Sequence, residues 1–173
     1  MDTFILRQLG LAVALGTSMG MAWAATSNDF VDDAAVGGIA EIETSKLALE
    51  KSQSADIKTF AEKMITDHTK ANEELKALAK KHDIEVPDDT TLMKKAKEKI
   101  LEARDESFDA AFANNQVKAH EETIELFKKE ANTVTDDKKA GNTELKAFAQ
   151  KMLPALQHHL EEAKKLQAAH PSK

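Results

Sequence analysis

Four stretches of about 25 residues repeat their apolar side chains every three or four positions, and no sustained period-2 stretch is found beyond the first two dozen residues. That rhythm points away from a sheet. Each stretch carries a single apolar stripe, and a helix with one stripe can hide it only against other helices. The spacing predicts helix A over Asn28 to Lys51, helix B over Asp56 to His82 and helix C over Glu106 to Ala131. Helix D starts at a cap on Asn142 or Thr143 and runs to Ala169. Asn28 or Asp29 and Ser54 have short oxygen-bearing side chains that suit the free N–H groups of a first turn. Pro87 breaks the chain after helix B, and Pro154 is expected to kink helix D because it lacks a donor N–H. At 1.5 Å per residue such helices are about 38 Å long.

Residues 83–104, between helices B and C, are far more than a tight antiparallel turn needs. They include a weakly apolar, helix-prone segment from Thr91 to Ala103 and are long enough to run the length of a bundle. The expected fold is therefore all-α. Two αα-hairpins, A–B and C–D, are joined by a long crossover containing a short helix, with the two hairpin turns at opposite ends. An internal repeat supports the pairing. "IKTFAEKMIT", from Ile57, matches "LKAFAQKMLP", from Leu145, at an offset of 88, with five of ten positions identical.

Arg7 precedes an apolar run from Leu9 to Met21, and Ala22-Trp23-Ala24 puts small residues at −3 and −1. This predicts a secretory signal peptide, residues 1–24, and a single domain, residues 25–173. The run is too short and too rich in glycine to make a good membrane anchor. Nothing later in the chain is apolar enough to span a membrane. There is no cysteine, so the core must suffice without disulfides. The net charge of −6 is spread over mixed acids and bases, leaving no basic face for nucleic acid and no polybasic patch for anionic lipid.

Three stripes contain a histidine where a leucine would be expected. His68 falls among Ile57, Phe60, Met64 and Leu75, with Asn72 at the stripe edge. His120 falls among Phe108, Phe112, Ile124 and Phe127, beside Gln116 and Thr123. His159 falls among Leu145, Phe148, Met152 and Ala163. In helix A, Glu41 and Ser45 sit on the flank of the face made by Phe30, Val31, Ala34 and Ile42, one turn after Gly37-Gly38, which would admit a close backbone. Counted from the hairpin turns, Glu41 and His68 are each about 20 Å from one end, and His120 and His159 lie within about a turn of that level. One carboxylate and three imidazoles thus share a layer. Those donors suit a divalent transition metal, zinc first, with iron or copper as alternatives. Asp67 is a further ligand or an acceptor behind the ligands. The competing reading is a hydrogen-bonded polar layer without metal.

"DFVDDAAVGGIAEIETSKLAL", "FAEKMITDHTKANEELKALA", "FDAAFANNQVKAHEETIELF" and "LKAFAQKMLPALQHHLEEAKKL" together resemble the four signature segments of a bacterial domain-of-unknown-function family. Its members are exported, ferritin-like four-helix bundles often labelled outer membrane proteins. The resemblance implies a ferritin-like architecture and a periplasmic or envelope location. It also implies recurring polar positions at Glu41, Asp67, His68, Asn72, His120 and His159, without a settled activity. Di-iron bundles use Glu-x-x-His pairs, but Ile65, Val117 and Leu156 stand three residues before the histidines here, which disfavours a di-metal oxidase. The expectation is a non-enzymatic metal-binding bundle, with Glu41, His68, His120 and His159 as ligands, serving metal handling or envelope stress tolerance. The alternative is a structural or interaction bundle acting through its surface, by self-association or with an envelope protein.

Overall fold

A computed structural model describes residues 27–99, 107–134 and 141–172. The expected signal peptide, residues 1–24, lies outside them. Five helices are present among the described residues: α1 (Asp29–Lys51), α2 (Ala55–Lys81), α3 (Asp89–Lys99), α4 (Phe108–Ala131) and α5 (Asn142–Ala169).

The helix ends follow from local chemistry. Asn28 Oδ1 accepts the Val31 N–H at 3.1 Å, Asp29 and Asp32 lie in the first turn of α1, and Lys51 lies in its last turn. Acids near the positive helix end and bases near the negative end are both favourable. Ser107 Oγ accepts from the Ala110 N–H to open α4. Ser54 does occupy the position before α2, but its hydroxyl donates to Asp109 Oδ2 at 2.7 Å instead of capping its own helix. Neither Asn142 nor Thr143 is the cap of α5. That position is held by Gly141 at φ 84°, where an added Cβ would stand 2.9 Å from the His82 ring. A left-handed backbone in close contact with a ring suits glycine, so the helix takes in Asn142 as its first residue. α5 continues through Pro154, which lies on its exposed side.

α1 packs on α2 and α4, α5 packs on α4 and α2, and α3 lies along α1. Cross-links fix the directions. Ser54 bonds Asp109, and His170 Nε2 bonds Asp56 Oδ2 at 2.9 Å, so the α1–α2 turn, the start of α4 and the end of α5 share one end. Lys81 Nζ bonds Glu144 Oε1 at 2.7 Å, placing the end of α2 beside the start of α5 at the other end. The two hairpin turns are therefore at opposite ends, as the long crossover implies. No helix among the described residues is long and apolar enough to cross a membrane.

The core divides along the bundle axis. Near the α4–α5 turn, Phe30, Val31, Leu75, Ile124, Phe127, Leu145 and Phe148 form one apolar cluster, and the crossover adds Ile84 and Leu92. Near the α1–α2 turn, Ile57, Phe60, Met64, Phe112, Ala163 and Leu166 form the other. The repeated segments fall one in each: Phe60 and Ala61 pack at one end, Phe148 and Ala149 at the other.

Candidate metal centre

Between the two clusters each long helix inserts a polar side chain on its buried seam. Glu41 of α1 is 5 % exposed, His68 of α2 7 %, His120 of α4 1 % and His159 of α5 3 %. Ser45 and Gln116 are buried in the same region. Glu41 and Ser45 are thus inside the bundle, not on a flank, while Ile42 is partly exposed. α1 touches α2, α3 and α4, and three neighbours bury a wider arc than one apolar stripe reveals.

The three imidazoles converge. Ring centroids are 5.8 Å apart for His68 and His120, 5.7 Å for His68 and His159, and 5.5 Å for His120 and His159. One nitrogen from each lies within 4.8 Å of the other two. Three points spaced so are at most about 2.8 Å from their centre, against a zinc–imidazole bond of about 2.0–2.1 Å. Inward movement of ~0.7 Å per ring, within the reach of small side-chain rotations, closes that gap. Glu41 shares the layer but is not one of the three convergent groups.

Two rings are held from behind. His120 Nδ1 donates to the Gln116 carbonyl at 2.8 Å, and His159 Nε2 donates to Asp67 Oδ2 at 3.0 Å. A carbonyl and a carboxylate accept only, so each bond fixes the proton on that nitrogen and leaves the opposite one with a bare lone pair. His120 Nε2 and His159 Nδ1 are those opposite nitrogens. Both are buried, and like His68 Nε2 neither has a hydrogen-bond partner among the described residues. Asp67 acts on the ring across the α2–α5 interface and not on His68 of its own helix.

Burial sets the charge state. It pulls His68 down to about 3, with the neighbouring imidazoles adding to the shift, and His120 down to about 4 against the opposing pull of the Gln116 carbonyl. His159 is lowered by burial as well, partly offset by Asp67. All three rings are neutral at pH 7, the form that ligates metal. Burial pushes the Glu41 carboxyl up to about 7. The Gln116 amide is close enough to hold that rise back, yet both its polar atoms, Glu41 Oε2 and Ser45 Oγ are buried without partners among the described residues.

Asn72 lies beside this layer. Its amide rests on Gly38, where an added Cβ would stand 2.2 Å from Asn72 Oδ1. The glycine pair therefore admits a side chain, not a backbone, and only Gly38 does so; a Cβ at Gly37 meets nothing within 4 Å. The Gln116 carbonyl is the one functional group that residue types did not reveal, because any residue at that position carries one.

A family model described as a domain of unknown function (DUF4142) matches residues 13–166, and the chain belongs to that family. No curated protein matches the chain. No solved structure matches it either.

Proposed function

We propose that this member of the DUF4142 family binds one divalent transition metal in its mid-bundle layer, with His68, His120 and His159 as the primary ligands. The observation that carries this reading is the set of three neutral imidazoles whose ligand atoms lie within 4.8 Å of one another. Buried polar atoms without partners are costly, and a cation relieves several at once. Three imidazoles and one open position suit zinc, while iron and copper also accept imidazole. Glu41 is the nearest candidate for a fourth protein ligand on composition. We further propose that the protein is exported, has a ferritin-like bundle architecture in the periplasm or at the envelope, and serves metal handling or stress tolerance there without enzymatic turnover.

The second reading is a structural or interaction bundle with a hydrogen-bonded layer and no metal. The His120–Gln116 and His159–Asp67 bonds favour it; the partnerless nitrogens weigh against it. The test is metal content. Tag-free protein purified without chelator is expected to carry close to one metal per chain, and a His68→Ala/His120→Ala variant none. A folded wild-type protein that holds no metal and takes up no added zinc, iron or copper supports the second reading.

A further inference from the structure

A cavity of about 250 Å³ adjoins the imidazole layer on the side of the Phe127 cluster. Phe127, Phe148, Met152 and Leu156 give it a mostly apolar wall, interrupted by Asp67, Asn72 and Thr123, and His68 and His159 of the layer also line it. The rings of Phe127 and Phe148 are 6.0 Å apart. The rim reaches solvent at the exposed residues Lys70, Glu74 and Ala155. Two of the layer's buried, partnerless nitrogens, His68 Nε2 and His159 Nδ1, thus belong to side chains that line a space open to small molecules.

We propose that this cavity receives a small single-ring aromatic acid whose anionic oxygen completes the coordination of the metal; the proposal rests on the metal reading above. Three lines of chemistry converge on that class. A dication on three neutral imidazoles brings two positive charges into a layer between two apolar clusters, and because Glu41 is not among the convergent groups, an anionic fourth ligand from outside offsets part of that charge. Most of the ligand's body is apolar, because Phe127, Phe148, Met152 and Leu156 offer rings, a thioether and a leucine, and Asn72 and Thr123 can meet only a small polar part of it. The cavity's volume suits a single ring as well: a dry cavity of ~150 Å³ takes benzene, so about 250 Å³ has room for a ring with a short polar substituent, and anything larger would extend past the open rim. Gly37 also lines the cavity, and an added Cβ there meets nothing within 4 Å, so a larger side chain at this position has room to extend.

The test uses protein loaded with cobalt(II), whose visible absorption bands report both occupancy and the fourth ligand. Titration with benzoate is expected to shift the bands at a concentration at least about tenfold lower than acetate requires, because the ring buries more apolar surface than a methyl group. Gly37→Leu, which fills the cavity, is expected to keep the cobalt bands and the acetate response but lose the benzoate preference. Ala71→Leu, on another wall, serves if the first variant folds poorly. Absent cobalt bands overturn the metal reading and this proposal together. Bands that form normally, with benzoate no better than acetate or with its preference intact in the filled variants, overturn this proposal alone.

Discussion

Phe127 meets Phe30 at 5.1 Å between centroids and Phe148 at 6.0 Å, and near the other end Phe60 meets Phe112 at 6.2 Å. These ends of the core are built from groups that ask for no polar partner. The layer between them is as deeply buried but holds Glu41, Ser45, His68, Gln116, His120 and His159, each with at least one polar atom unpaired among the described residues. The contrast separates two roles. The ends hold the helices together, and the layer weakens the metal-free fold. A sequence selected only for stability would put leucines there, and the metal site proposed above gives the layer a reason to be polar.

The strongest way to break this contrast is to open one end. Phe127→Ala removes a ring packed between two others and is expected to cost about 3–5 kcal/mol, read as a lower urea midpoint at unchanged slope. Phe60→Ala should fall in the same range if the two ends are equivalent. A loss below about 1 kcal/mol at either end would mean that end is not holding the bundle.

Between pH 4.5 and 6.5 acid should act mainly on the layer. In the folded chain His68 and His120 take up protons only near pH 3 and 4, whereas unfolded imidazoles do so near 6.5. Their contribution to stability is complete above about 6.5 and is lost as pH falls toward those values, with His159 acting in the same direction. Glu41 opposes them. Its carboxyl, raised from 4.5 to about 7, contributes fully below about 4.5 and loses that contribution as pH rises through about 7. Between pH 4.5 and 6.5, counting His68 and His120 against Glu41 leaves a net of about one proton, or about 1.4 kcal/mol per pH unit, in favour of unfolding on acidification. Glu41→Gln should steepen that slope to about two protons. Urea melts of metal-free protein at stepped pH measure both, and a flat profile would show that the layer is hydrated.

Metal should reverse the weakness. Zinc at a hundred times its dissociation constant is expected to stabilise the protein by about 2.7 kcal/mol, and a chelator should remove the gain. The His68→Ala/His120→Ala variant should show neither effect. Stabilisation that survives in that variant would place the zinc elsewhere.

The apolar ends and the imidazoles were legible because helical geometry is rigid. A residue's place in a three-and-four spacing fixes its face, and a rise of 1.5 Å per residue fixes its level, so His68, His120 and His159 could be set in one layer before any coordinates. What was not legible depends on neighbours. Glu41 reads as a flank residue until α4 is known to pack against α1 and set Gln116 beside it. The Gly141 cap depends on His82 from another helix. The support behind His120 is a backbone carbonyl, which no residue type announces. How closely Glu41 approaches the imidazoles is a matter of side-chain rotamers that periodicity does not encode.

The smallest effect carries the sharpest sign. His68→Leu replaces a ring with a buried, partnerless nitrogen by an apolar side chain of similar bulk, between two apolar clusters. Removing an unsatisfied polar group from a core relieves its desolvation cost, so the metal-free variant is expected to be more stable than wild type by ~1 kcal/mol. The same change removes one of three ligands, so zinc should no longer stabilise the protein. These two outcomes belong together only if the histidine is kept for binding at the expense of the fold. A metal-free variant less stable than wild type would mean that His68 has a structural partner, a bridging water included, and would place the layer in the same class as the ends.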